Sequence, residues 1–477
     1  MFTAPGGNDP TCQHPVTRRP GPVDIAHHSH LVGVFEPQRE EVDVRDLEVI
    51  GELPADLHGA YLRNGPNPRF DPIGTYVYPL DGDGMVHRVE LADGAARYTN
   101  RFVRTPMVTA EEKAGHVIWA GVTDLYTPTE DEVGPELAGT SRELPDINIV
   151  RHGGRLLAMA ETTLPFRLDP ADLSTLGRDN CDGAMSVGST AHPKIDPVTG
   201  QMVLFNYMLE SPYLTWSVAN PDGSVARTPT AVEGVDTPLM IHDMALTERY
   251  IVLMLCPLVF DIAAVLTGGS VLDWRPEDGT RIALIPRDGG PVRWTTHDAY
   301  WVWHFANAFD LPDGRVSVDY VEWTYPGGFA KAPAPSLGSL VRAVVDPGSG
   351  RVTREVVCDR DVEFPRVDDR ELTRGHRTVA TVGKLDRSQG RQDSLWFFDT
   401  ARGTETHWDP GSVSVGEPIF MPGAEHEYWG MIGTDRSDLS SWFFVLPADD
   451  PGSGPIGKVR LPIRVPAGLH GAWLPAE

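Results

Sequence analysis

Asp196-Pro197-Val198-Thr199-Gly200, followed almost at once by Met202-Val203-Leu204-Phe205-Asn206-Tyr207, is the stretch whose reading decides the fold. Proline fixes one backbone angle and glycine supplies a positive one, so the first five residues read as a turn. The next six are mostly aliphatic or aromatic and read as a strand. Pro221-Asp222-Gly223 turns the chain again by the same chemistry. Outward from here the unit recurs. Tyr61-Leu62-Arg63, Val86-His87-Arg88-Val89-Glu90-Leu91, Leu156-Leu157-Ala158-Met159-Ala160, Val316-Ser317-Val318-Asp319-Tyr320-Val321 and Ser441-Trp442-Phe443-Phe444-Val445-Leu446 are strand-like, and Pro312-Asp313-Gly314 and Asp288-Gly289-Gly290 are turns. Such turns join antiparallel neighbours. Helix is expected only in short pieces, such as residues 130–138 and 261–266.

A chain of 477 residues has room for roughly two to four ordinary domains, but no linker-like composition interrupts residues 31–477. The expectation is therefore one closed all-β body, a β-propeller. No WD or kelch signature repeats along it. Residues 1–30, rich in Pro, Gly, Asp and His, are expected to form a disordered tail, with His27, His28 and His30 as a solvated cluster. The formal charge of −26 argues against a nucleic-acid partner and against electrostatic attachment to anionic lipid. Residues 251–266 form the most hydrophobic segment, but Pro257 and Asp261 interrupt it, and it falls short of the roughly 20 residues that span a bilayer. Lipid contact, where it occurs, is expected to be transient and hydrophobic. Cys12, Cys181, Cys256 and Cys358 are far apart and lack metal-binding spacing, so they read as free thiols in a reducing compartment, the cytoplasm.

Four histidines stand in apolar or aromatic surroundings: Thr190-Ala191-His192-Pro193, Ile241-His242-Asp243-Met244, Trp301-Val302-Trp303-His304-Phe305 and Leu469-His470-Gly471-Ala472-Trp473. Taken singly, each reads as a core residue with one hydrogen bond. Together they admit a second reading, because neutral imidazole is the commonest metal ligand. Their separations of 50, 62 and 166 residues suit a propeller whose blades take roughly 40 to 70 residues, with four inner strands each delivering one ring to the axis.

Those stretches resemble the carotenoid cleavage oxygenase family. Further matching segments are Trp303-His304-Phe305-Ala306-Asn307-Ala308, Gly59-Ala60-Tyr61-Leu62-Arg63-Asn64-Gly65-Pro66-Asn67-Pro68, Asp81-Gly82-Asp83-Gly84-Met85, and Leu461-Pro462-Ile463-Arg464-Val465-Pro466 leading to His470. The resemblance runs from about residue 32 to 475. It implies a seven-bladed β-propeller with a helical and loop dome, and one non-haem Fe(II) on the axis held by His192, His242, His304 and His470. Four neutral donors leave two octahedral positions open for dioxygen or an alkene. The resemblance also implies carboxylates behind three of the rings, at Glu161, Glu363 and Glu427, and it places Ile147 near an open iron position where many bacterial relatives carry a threonine. No separate general base or nucleophile is implied.

Members of this family act with dioxygen on carotenoids, apocarotenoids, stilbenes or phenylpropenoids. At the positions where stilbene cleavers hold a phenol with tyrosine and lysine, this chain has Phe102 and Arg142, and Phe donates no hydrogen bond. Residues 256–268 lie where members with lipophilic substrates carry an apolar entrance. The expected substrate is thus a carotenoid or apocarotenoid, cleaved at a conjugated C=C bond to carbonyl products. The alternatives are stilbene or phenylpropenoid cleavage, and a noncatalytic ligand-binding propeller with a structural metal.

Overall fold

The computed structural model describes residues 18–124, 126–266, 269–327, 336–385 and 393–476. Seven antiparallel sheets follow one another along the chain and make the seven blades of a propeller. The first is built on Gly59–Arg63, Met85–Ala92 and Ala95–Phe102. The others occupy residues 148–178, 194–231, 245–297, 301–358, 363–408 and 413–460. Two exchanges close the ring. C-terminal Gly471–Pro475 becomes the innermost strand of the first blade by pairing with Gly59–Arg63, and Val49–Gly51 becomes the outermost strand of the seventh by pairing with Gly457–Arg460.

Burial explains why the six-residue runs are continuously apolar. Met202–Tyr207 and Leu214–Ala219 are buried at every position, whereas the blade's outer strand Val225–Ala231 alternates toward solvent. A strand covered on both faces by neighbouring blades has no polar side to display. One apolar cluster accordingly runs through three blades, joining Phe205 to Leu253 and Tyr320. Gly200 and Gly314 take left-handed φ of 68° and 90°, as their turns require.

Three departures from expectation have local causes. Helix Pro106–Ala114 was not expected, although Thr105 caps it by accepting from Val108 N at 3.1 Å, Pro106 opens it and left-handed Gly115 ends it. The 130–138 piece shrinks to Glu130–Val133, stopped by Gly134. The expected disordered tail is tied down from residue 18: Arg19 donates to Val117 O at 2.7 Å, Val23 N donates to Pro72 O at 2.9 Å, and Gly74 N donates to Gly21 O at 2.8 Å. His30 stacks on Tyr78 at 5.1 Å and His28 meets Tyr76 edge-on at 5.5 Å, leaving only His27 as the exposed member of that cluster. Residues 1–17, including Cys12, lie outside the described residues. Cys181, Cys256 and Cys358 are buried free thiols. Of the segment given as an apolar entrance, Leu258 and Val259 are core while Ile262 is 42% exposed. No helix among the described residues is long and apolar enough to cross a membrane.

Candidate metal centre

His192, His242 and His470 stand just ahead of the innermost strands Lys194–Ile195, Ala245–Leu246 and Gly471–Pro475 of the third, fourth and first blades, and His304 lies within Trp301–Asp310, the innermost strand of the fifth. Inner strands converge on the propeller axis, and the four rings meet there. Nε2 of His242 is 3.1 Å from that of His192 and 3.2 Å from that of His304, and His304 Nε2 is 3.1 Å from that of His470. All four donor atoms lie within 4.8 Å of one another.

Neighbouring side chains pin the segments that carry them. Buried Asp243 accepts from Phe305 N at 2.9 Å and pairs with Lys194 at 2.8 Å, tying together the chain beyond three of the histidines. Asn64 N donates to His470 O at 3.0 Å, and its amide donates to Pro145 O and Asn148 O at 2.9 and 3.0 Å. Asn148 donates in turn to Ala191 O at 2.8 Å, beside His192.

Behind three rings stands a carboxylate. His304 Nδ1–H donates to Glu363 Oε2 at 2.6 Å, His470 Nδ1–H to Glu417 Oε1 at 3.0 Å, and His242 Nδ1–H to Glu161 Oε1. Burial pushes Glu363 up, but the His304 ring beside it and the N–H donors of Phe364 and Trp323 outweigh it and hold its pKa below the ordinary range. Burial acts likewise on Glu417, and Arg366 and His470 overcome it, holding the carboxyl at about 2. Ionised acceptors place the proton on Nδ1 and leave the Nε2 lone pair facing inward. Burial and the other three rings hold His192 well below the usual imidazole range, and burial brings His470 to about 4 despite Glu417. Burial also pulls on His304, but Glu363 reverses the shift and raises it. Among the described residues no carboxylate reaches the His192 ring.

Inward lone pairs at such separations repel unless a cation lies between them. Two nitrogens at right angles, each about 2.1 Å from a first-row divalent ion, are about 3.0 Å apart, and the observed separations of 3.1 to 3.2 Å fit that arrangement. The blades divide the work. The first, third, fourth and fifth bring the imidazoles, and the second, sixth and seventh bring Glu161, Glu363 and Glu417.

Glu427 does not have the position expected of it. It opens Glu427–Asp435, the second strand of the seventh blade, with its side chain 53% exposed and paired with Arg370. Glu417, 3% exposed and just ahead of Ile419–Pro422 on the axial side, takes the place behind His470. The available signal was a lone acid in Gly416-Glu417-Pro418-Ile419-Phe420-Met421-Pro422, an apolar run where an ionised group persists only with a partner.

Ile147 is buried in a small cluster with Ala160, Ala191 and Leu469, each next to a residue of the centre, and Phe364 and Tyr78 pack on it. Phe364 stacks on His304 at 5.1 Å. Phe102 is 1% exposed, and Arg142 is enclosed by Asp83 at 2.6 Å and Glu111 at 2.8 Å. Beside Ile147, Asp146 is 1% exposed and its Oδ2 has no hydrogen-bond partner. Burial, then the Asp81 and Asp83 charges, push its pKa well above the ordinary range. The folded state therefore keeps a proton that the unfolded chain loses above its own pKa near 3.8, so stability falls as pH rises between the two values. Asp146→Asn cannot ionise. Its melting temperature should exceed that of the parent near pH 7 by about 1–3 °C more than it does near pH 4, as read by calorimetry at the two pH values; a pH-independent difference would refute this.

A family model described as retinal pigment epithelial membrane protein matches residues 35–475. Isoeugenol monooxygenase of Pseudomonas nitroreducens is 30% identical over 93% of this chain and 98% of its own length. Apocarotenoid-15,15'-oxygenase of Synechocystis sp. is 30% identical over 96% and 99%. Among solved structures, the lignostilbene dioxygenase of Pseudomonas brassicacearum superposes with a TM-score of 0.83 at 30% identity, over 96% of this chain and 100% of that one.

Proposed function

The chain belongs to the retinal pigment epithelial membrane protein family of carotenoid cleavage oxygenases, and from that premise we propose that it is a non-haem Fe(II) dioxygenase cutting a conjugated C=C bond of a carotenoid or apocarotenoid into two carbonyl fragments. The reading rests on the convergence of four Nε2 atoms within 4.8 Å, three of the rings backed by carboxylates. His192, His242, His304 and His470 would hold the iron. Bound Fe(II) supplies the electrons and open positions that allow dioxygen to react with an alkene. Glu161, Glu363 and Glu417 keep three imidazoles in the Nε2-donor tautomer and fix their planes. Ile147, Ala160, Ala191, Leu469 and Phe364 make the adjoining wall apolar, which suits a polyene and limits water there.

The relatives' names span a phenylpropenoid, an apocarotenoid and a lignostilbene at equal identity, so the substrate is argued from side chains. Phe102 offers no donor and the Arg142 guanidinium is already enclosed by two carboxylates, which supports the polyene over a phenol. One observation favours the phenolic alternative. Tyr78, which packs on the Ile147 cluster, meets Phe35 edge-to-face at 5.0 Å and stacks on His30 at 5.1 Å, a group of rings that suits an aromatic substrate. The three buried, unpaired thiols accord with the reducing cytoplasm we propose as the compartment.

Iron-reconstituted protein incubated with an apocarotenal and with resveratrol under labelled dioxygen, followed by mass spectrometry, tests the proposal. The expected result is apocarotenal cleavage to two carbonyl products carrying label, abolished by a chelator. Cleavage of the stilbene alone would overturn the substrate assignment. Ligand binding without turnover, indifferent to chelation, would favour a noncatalytic propeller.

A further inference from the structure

Each supporting glutamate uses one oxygen on an imidazole, and the further donors to its carboxylate differ among the three. Glu363 receives Trp323 Nε1–H at 3.0 Å on Oε1 and the backbone N–H of Phe364 on Oε2. Glu417 receives Gly471 N–H at 2.9 Å and Arg366 at 3.4 Å. Both are thus anchored by backbone as well as side chain. Among the described residues Glu161 has no backbone donor, and its sole donor besides His242 is the Tyr207 hydroxyl, 2.5 Å from Oε2. Glu161 is also the least buried of the three, its side chain 14% exposed against 10% for Glu363 and 2% for Glu417. Three rotatable torsions separate its carboxylate from the backbone, so without a second donor the carboxylate can turn away from His242.

Tyr207 is suited to prevent this. It ends Met202–Tyr207 in the third blade, 6% exposed, and its ring stacks at 5.8 Å and 26° on Phe260, in the two-stranded sheet Leu258–Phe260 and Leu272–Trp274 inserted between strands of the fourth. Ring orientation is therefore fixed from one side and hydroxyl orientation from the other. Burial and the Glu161 charge raise the phenol pKa, so the group remains a donor. We propose that Tyr207 is the positioning residue for the Glu161–His242 pair, holding the carboxylate so that His242 presents Nε2 to the metal. The inference rests on the metal reading of the four histidines.

The test titrates metal-free protein with Co(II) and follows its visible absorption bands. Parent, Tyr207→Phe, Glu161→Gln and the double variant are compared, with near-UV circular dichroism verifying the fold. Removing a ligand-orienting partner weakens metal affinity by about 10–100-fold, which is the effect expected of Glu161→Gln. Tyr207→Phe keeps the ring and its stacking, and it should weaken Co(II) binding by about 3–10-fold with altered bands. If Tyr207 acts through Glu161, the double variant matches Glu161→Gln within about twofold. Parental affinity in a folded Tyr207→Phe protein, or an effect that adds in full to that of Glu161→Gln, would overturn the inference while leaving the metal centre standing. Failure of the parent itself to bind Co(II) would overturn the metal reading and this inference together.

Discussion

His304→Ala should leave the propeller folded, bind no iron and lose double-bond cleavage by at least about three orders of magnitude. His304 is one of the two inner rings of the set, 3.2 Å from His242 Nε2 and 3.1 Å from His470 Nε2. It lies inside Trp301–Asp310 at a bulge in the ladder with Val316–Trp323, and the paired residues Val302 and Phe305 on either side limit how far it can shift. Among the described residues no further histidine joins the group to offer a substitute nitrogen. Removing the ring also leaves Glu363 without its strongest partner, a loss that in a buried site costs about 1–3 kcal/mol. Trp323 and Phe364 still donate to that carboxylate, so the cost lowers stability without unfolding the blade. His304→Gln keeps an acceptor and much of the volume and serves as the control for packing. Metal content after reconstitution, circular dichroism and product analysis decide the matter; parental iron in His304→Ala would exclude the ring as a ligand.

How much of this was legible in the sequence depended on whether the cause was local. Met202–Tyr207 reads as a strand because burial on both faces forces an unbroken apolar run, and its limits in the structure coincide with the run itself. The scattered histidines became interpretable once a propeller was assumed, since every blade restarts at the axis. Glu417 and Glu427 mark where such reading stops. A buried ion is settled by what approaches it from other blades, here His470, Gly471 and Arg366, and nothing within a few residues of Glu417 announces them. Residues 18–30 make the same point for order. Their composition favours disorder, but Tyr76 and Tyr78, some fifty residues on, supply rings for His28 and His30 to meet. Helix Pro106–Ala114 is different, for its Thr-Pro start and its glycine stop are both present in the sequence, though its apolar stripe is too narrow to stand out.

The choice between the two glutamates gives the second large effect. Glu417→Gln should weaken metal affinity by about 10–100-fold and reduce turnover at limiting iron to match, whereas Glu427→Gln should alter neither by more than about twofold. Glu417 accepts on both oxygens, from His470 Nδ1–H at 3.0 Å and from Gly471 N–H at 2.9 Å. Glutamine must place its NH2 on one side, so one donor always faces another donor, and either His470 turns or the strand closing the first blade loses a hydrogen bond. Arg366 meanwhile loses the carboxylate that neutralises it, keeping only the more exposed Asp369. The effect carries a pH signature. Glu417 is held at about 2 against an ordinary 4.5, so its pairing stabilises the fold fully above the unfolded value and is lost as pH falls through the folded one. The stability gap between parent and Glu417→Gln should therefore be widest above about pH 5, on the order of 3 kcal/mol, and should narrow toward pH 2. Glu427 is half-exposed beside Arg370, where solvent screens the pair, and no such gap is expected of its variant. Denaturant melts of both variants across that range, with iron affinity measured at neutral pH, separate the two residues; equal behaviour would refute the role assigned to Glu417 behind His470.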